Sequence, residues 1–226
     1  MNNLQLKTTA DGSSTIYHKE LDEHYHSIHG ALQESVHVFI KSGLNYFQNK
    51  YPFNKTINIL EVGWGTGLNC ILSILCKNPL NQIIEYSGIE PYPINLDIIE
   101  NLNFNFNEEE IKLFNNIHLL KCDEKHIINS YFQLTKHSIG FNNFKSSKTY
   151  DIVYFDAFAP RKQPSIWTSG VFTKLYEHLN TNGILVTYCA KGQVRRDLES
   201  VGFYVERLKG PPGKREMLRG IKIIKK

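Results

Sequence analysis

Apolar residues come first in short alternating runs and then in blocks that switch between the strand and the helix period. Leu4 to Thr8, the Asp11-Gly12 pair and Ser14 to His18 have the layout of a β-hairpin. Ala31, Leu32, Val36, Phe39 and Ile40 recur at helical spacing, which predicts a helix from Gly30 to about Asn49. From Ile57 onward, strands are expected at Ile57–Val62, Glu85–Ile89, Ile117–Lys121, Tyr150–Phe155, Ile184–Cys189, Phe203–Leu208 and Met217–Ile224. Helical patterns lie between most of them, at Leu68–Lys77, Ile94–Leu102, Val171–Leu179 and Gln193–Val201. Asn103–Asn116 and Lys136–Lys148 are polar and read as connections. The alternation predicts an α/β fold, a doubly wound and mostly parallel sheet with helices on both faces. Residues 1–52 form a hairpin-plus-helix cap within the same domain as residues 53–226. Pro211-Pro212-Gly213 suits a loop between antiparallel partners at a sheet edge.

Composition narrows the class. With 226 residues, 41% of them hydrophobic and 21% charged, the chain has material for one large packed domain and is not a disordered one. Ile57–Cys76 has the length of a bilayer span but contains Glu61, Asn58 and Asn69 together with a glycine cluster, so no membrane partner is expected. Met1 to Asp11 lacks the basic-then-apolar layout of a signal peptide, and a cytoplasmic location is expected. Cys70, Cys76, Cys122 and Cys189 lack Cys-x-x-Cys spacing and read as buried small apolar residues. His24, His26 and His29 have no acidic or cysteine partner at a suitable spacing, so no metal site is expected. The net charge of +4 is uneven: residues 191–226 hold eleven Lys or Arg against four acids, an excess of +7, whereas residues 1–190 hold 15 basic and 18 acidic groups, a balance of −3. Two readings of that basic end compete, a solvated surface and a phosphate-binding face for RNA.

The densest chemistry follows the first long strand. Glu61-Val62-Gly63-Trp64-Gly65-Thr66-Gly67-Leu68-Asn69 places three alternate glycines between a strand and a helix, where the chain turns tightly and its backbone can touch a ligand. A nicotinamide-binding loop would want Gly-x-Gly-x-x-Gly, and its third glycine is Leu68 here. The loop instead resembles the S-adenosylmethionine loop of class I methyltransferases. In that setting Glu61 orients the loop and the sulfonium region or caps the loop's N–H groups. Glu90 ends the next strand, where a carboxylate can accept both ribose hydroxyls, and Asp123 ends the third, facing the adenine amino group. Taken singly, each is as readily a capping acid at a strand end.

Tyr150 to Asp156 ends at a carboxylate followed by Ala157-Phe158-Ala159-Pro160-Arg161-Lys162-Gln163-Pro164-Ser165-Ile166-Trp167. With this segment, Gly88-Ile89-Glu90-Pro91, Gly30 to Ser35 and Lys214-Arg215-Glu216-Met217-Leu218-Arg219-Gly220, the chain resembles the MnmD-type tRNA methyltransferases, equivalent to the N-terminal half of bifunctional MnmC. The likeness runs from about Tyr17 to Gly220. It implies methylation of the amine of 5-aminomethyl-2-thiouridine at the tRNA wobble position, with S-adenosyl-L-methionine as cofactor and neither FAD nor metal. It also implies a separate flavin-dependent oxidase, or another source of the aminomethyl group, since the sequence ends about six residues after Gly220. Asp156 is the expected catalytic group, orienting the neutral amine. A carboxylate near its usual pKa of about 4 is a poor base toward an ammonium. Tyr154 and Phe158 flank the site as stacking or core residues. Gln33 and Glu34 close over the cofactor or lie on a plain helix surface, and Tyr25 and His26 are candidates for the pocket wall. Pro160 stiffens the loop, and Arg161, Lys162, Lys214, Arg215 and Arg219 are expected on anticodon-arm phosphates, with the wobble base flipped or splayed toward the methyl. Two rivals remain: a transferase of this fold acting on a small amine metabolite, and an idle RNA-binding module.

Overall fold

The computed structural model describes residues 3–223. The predicted hairpin forms from β1 (Leu4–Thr8) and β2 (Ser14–His18), with Leu4 opposite His18 and Thr8 opposite Ser14. A two-residue strand, β3 (Glu23–His24), extends it to three strands. The expected N-terminal helix is present as α1 (Ala31–Ser35), a π-helical stretch over Val36–Asn45 and α2 (Tyr46–Lys50). It buries Val38, Phe39, Leu44 and Phe47, and Gly43 lets its backbone lie close against Tyr154 and Val186.

The main part of the chain then runs β4 (Thr56–Val62), α3 (Leu68–Leu75), β5 (Ile83–Ile89), α4 (Leu96–Ile99), α5 (Glu108–Leu119), β6 (Lys125–Asn129), β7 (Phe132–His137), β8 (Tyr150–Phe155), α6 (Ser169–His178), β9 (Leu179–Thr187), α7 (Gly192–Ser200), β10 (Phe203–Lys209) and β11 (Glu216–Lys222). The strands form one eight-stranded sheet in the order β10-β11-β9-β8-β4-β5-β7-β6. β7, β5, β4, β8 and β9 are parallel, and β11 is inserted antiparallel beside β9 with β10 outside it at the edge. The predicted doubly wound sheet is therefore the observed one. Ile224, the last residue of the expected final strand, lies outside the described residues.

Strand alternation splits the core between the two faces of the sheet. On β8, Ile152 and Tyr154 point into the layer with Phe39, Leu44 and Tyr86, while Val153 and Phe155 point into the layer with Phe172, Leu175 and Leu198. Tyr154, a candidate for the site, is thus a core residue, fully buried against Phe39 and Tyr86.

One strand was misplaced by the apolar pattern. Ile117–Lys121 falls at the end of α5, which also takes up most of the expected connection Asn103–Asn116, and the third parallel strand is β7, whose last two residues begin the expected connection Lys136–Lys148. The helix wins because Asn107 forms a capping box with Glu110 and because Phe114 and Ile117, three apart, bury the same face. Cys70 and Cys189 are buried as expected, but Cys76 is only partly so and Cys122 is exposed on the turn after α5. Among the described residues no helix is long and apolar enough to cross a membrane.

Candidate active site

The carboxyl ends of β4, β5, β8 and β9 open into a cavity of about 1180 Å³, covered by Tyr17 to Ile28 of the N-terminal cap. After Val62 the backbone turns back at Gly63, whose φ is +94°. A Cβ there would lie 2.5 Å from the carbonyl oxygen of Asp156, so only glycine lets these two strand ends approach. Gly63, Trp64 and Gly65 line the cavity, whereas Gly67 caps the N-terminus of α3 away from it.

Behind this loop sits a linked pair of carboxylates. Glu61 is fully buried and accepts hydrogen bonds from Asn69 Nδ2 and Tyr86 OH, both at 2.8 Å. The same Asn69 nitrogen donates to Asp156 Oδ2 at 2.8 Å, so one amide ties the two acids together. Glu61 neither lines the cavity nor caps the glycine loop's N–H groups; it supports Asn69, and burial pushes its pKa well up. Asp156 is at the cavity wall, its carboxyl pushed up to about 7 by burial and then by the Glu34 charge, against the opposing pull of Asn69 and Lys214. That corrects the expectation of an ordinary carboxylate: Asp156 takes up and gives back a proton near neutrality.

Glu90 ends β5 as expected. Its two oxygens accept from the N–H groups of Gly65 (2.9 Å) and Tyr92 (3.0 Å), which aim the carboxylate into the cavity, and burial raises its pKa. Asp123 is placed differently from its expected position. It sits in a turn at φ +61° before β6, its side chain 71% exposed and 2.9 Å from His137 Nδ1, and it does not line the cavity. The strand end at that place belongs to His137, because the third parallel strand is β7.

The cap supplies Tyr25 and His26, as expected. Tyr25 packs edge-on to Phe158 at 4.8 Å between ring centres, and burial pushes its phenol up to about 12. His26 Nε2 is 3.0 Å from Thr66 Oγ1, and burial brings its pKa down to about 4, so the ring is neutral. Glu34 is buried, lines the cavity, accepts from the Ser27 N–H at 2.9 Å and is ion-paired with Lys214. Gln33 faces away, exposed, with its backbone N–H on Asp11.

The loop after β8 brings Asp156, Phe158 and Arg161 to the cavity but not Pro160 or Lys162. Arg161 and Lys162 instead bind the cap through Glu23 and Asp22, both at 3.2 Å. Arg215 is exposed and outside the cavity. Arg219 is not a surface cation: strand alternation turns it inward, where it pairs with Glu206 at 2.7 Å, donates to the Ser42 carbonyl at 3.1 Å and lies over the Tyr46 ring. Tyr188, just beyond β9, lines the cavity and donates its OH to the Ala157 carbonyl at 2.8 Å. Counting β9 among the parallel strands and looking at its carboxyl end would have pointed to it.

A glycine turn after β4, with Glu90 and Asp156 at the carboxyl ends of β5 and β8, has the layout of a ligand site at the strand ends of a parallel sheet. Residues 99–223 match the family described as S-adenosyl-L-methionine-dependent methyltransferase, and the chain belongs to that family of methyl-transferring enzymes. It is 28% identical over 211 residues to the tRNA 5-methylaminomethyl-2-thiouridine biosynthesis bifunctional protein MnmC of Hydrogenovibrio crunogenus, covering 88% of this chain and 31% of that one. To the protein of the same name in Leptospira interrogans it is 30% identical over 223 residues, covering 89% and 33%. The chain therefore spans about a third of the length of these curated relatives. MNMC2 from Aquifex aeolicus shares the fold, with a TM-score of 0.79 and 24% identity over 97% of this chain and 70% of that chain. The likeness read from the motifs extends across most of the chain.

Proposed function

We propose that this enzyme methylates the primary amine of 5-aminomethyl-2-thiouridine at the wobble position of tRNA, giving 5-methylaminomethyl-2-thiouridine. The product is the one in the name of the MnmC relatives. The observation that carries the reading is Asp156: a carboxyl group held by Asn69 at the cavity wall with a pKa of about 7. Near neutral pH such a group is half ionised and is a far better acceptor of an amine proton than an exposed aspartate.

The cavity fits the cofactor on its own features. Gly63 and Gly65 line it with loop backbone, and each Glu90 oxygen keeps acceptor capacity for a ribose hydroxyl. Asn69 Oδ1, buried and without a partner, offers an acceptor to a bound cation. Bound S-adenosyl-L-methionine supplies an electrophilic methyl group on a sulfonium. The remaining work falls to the chain's own residues. Asp156 accepts a hydrogen bond from the amine, aims its lone pair and receives its proton. Tyr25 and Phe158 form an aromatic wall for the base, and the neutral ring of His26 (pKa about 4) adds no positive charge against the methyl donor. Six acids, Glu20, Asp22, Glu23, Glu34, Glu90 and Asp156, line the cavity against Arg161, Lys191 and Lys214. That balance favours a cationic amine inside and leaves phosphate contacts to the rim. The substrate must arrive with a free aminomethyl group, supplied by a separate flavin-dependent oxidase or by another source.

The test is transfer of labelled methyl to tRNA carrying 5-aminomethyl-2-thiouridine, beside unmodified tRNA and a free small amine. Transfer to the modified tRNA alone, lowered about 10²- to 10⁴-fold in Asp156→Asn, is the expected result. Equal turnover of the free amine without RNA would replace this reading with a small-metabolite transferase.

A further inference from the structure

The loop Gly210–Arg215 carries one lysine into the acid-lined cavity. Gly213, at φ +81°, lies against the imidazole of His29 so closely that a side chain there would overlap the ring. His37 Nε2 holds the Lys209 carbonyl at 2.7 Å on the strand leading in. From this pinned loop Lys214 reaches Glu34 in an ion pair and stands 3.8 Å above the centre of the Tyr188 ring. Its ammonium is thus placed inside the site beside two carboxylates, and is not spread on the surface for a phosphate.

An alkylamine is a nucleophile only without its extra proton, and a cavity rich in carboxylates favours the protonated, inert form. We propose that Lys214 is a positioning residue that sets the charge of the amine site: its ammonium cancels Glu34, leaving Asp156 as the single carboxylate that takes the proton from the substrate amine. The proposal rests on the amine-methylation reading above. The other titratable groups facing this point agree with it. Burial keeps the Tyr188 phenol and the Cys189 thiol neutral, and His29 faces the loop from the cap. Glu61 shares the Asn69 amide with Asp156 from β4, Glu90 ends β5 on the same cavity, and the other two cations on the wall are Arg161, paired with Glu23, and Lys191. Lys214 also opposes Glu34 in fixing where Asp156 titrates.

The experiment is the pH profile of kcat/KM for methyl transfer to the aminomethyl tRNA, with cofactor Kd and Tm measured on each variant. In Lys214→Met the acidic limb is expected to move up by about one pH unit, costing about fivefold at pH 7 and recovering at pH 9. Lys214→Arg, which keeps the charge, should hold the limb in place. The double variant Lys214→Met/Glu34→Gln, which removes both charges, should bring it back toward the wild-type position. A pH-independent rise in KM for tRNA, with kcat unchanged and a shallower salt dependence, would overturn the proposal in favour of a phosphate contact. A fall in Tm with an unmoved limb in all three variants would overturn it in favour of a merely structural pair. Failure of the amine reading itself would show separately, as a wild-type enzyme that binds cofactor but methylates no aminomethyl tRNA.

Discussion

Replacing Gly63 by alanine tests the whole architecture of the site with a single methyl group. At φ +94° an alanine is strained whatever the space around it, at a cost of about 1–2 kcal/mol. The new Cβ would also stand 2.5 Å from the Asp156 carbonyl oxygen and 2.9 Å from its carbonyl carbon. Backbone cannot rotate away as a side chain can, so the ends of β4 and β8 must separate by about half an ångström or more, with an overpacking cost of about 1–3 kcal/mol. Together these give about 3 kcal/mol, which for a domain of this size lowers Tm by about 6–12 °C. The displaced atom belongs to the catalytic candidate, and a shift of that order at a reacting group costs up to about 100-fold in turnover. Differential scanning calorimetry and single-turnover methyl transfer read the two effects. Gly140→Ala is the control for stability: its φ is −73° and a Cβ would meet nothing within 4 Å, so Tm should stay level or rise slightly. A Gly63→Ala enzyme with wild-type Tm and full turnover would refute the account of the strand-end contact and, with it, the placement of Asp156.

Two further outcomes follow from buried charges. In the folded protein Asp156 holds its proton up to about pH 7, whereas an unfolded aspartate loses it near 3.8; the native state therefore binds more protons between those values, and this group's contribution to stability falls as pH rises from about 4 to 7 and is level above. Asp156→Asn should remove that slope, so that urea unfolding of the variant gains on wild type across the window; parallel curves would refute the raised pKa. Arg219→Ala should destabilise by about 2 kcal/mol, because it strands Glu206 and uncovers Tyr46, while leaving the salt dependence of tRNA binding unchanged; a loss of about one unit in that salt slope would instead put Arg219 on a phosphate.

The parallel sheet was legible in the sequence because its strands are buried on both faces and are written as continuous apolar runs, Tyr150–Phe155 most plainly. β7 was not, because Phe132–His137 alternates apolar with polar near the sheet edge and resembles a connection, whereas the end of α5 has the apolar density of a strand. That single exchange carried Asp123 to the wrong place. The strand-end rule found Glu90 and Asp156 from local sequence alone. It could not separate Glu61 from the cavity, since that depends on where Asn69, the second residue of α3, puts its amide. The cations were least legible. Arg161, Lys162, Lys214 and Arg219 look alike as surface charges, yet three have an acidic partner in the distant N-terminal cap and Arg219 has one directly across its hairpin, and only the folded chain says which.

β11 follows the other described strands in sequence yet belongs between β9 and β10, and the turn that leads into it brings Lys214 to Glu34 across 180 positions of sequence. Order along the chain and order across the sheet therefore differ at this edge: β10 comes first in sequence, yet it pairs with the sheet only through β11. On the proposal made above, the amine site is complete only once β11 has closed the sheet beside β9. A half-folded chain would have the cofactor loop without the full amine site, so it would be poorly equipped to methylate before it is whole.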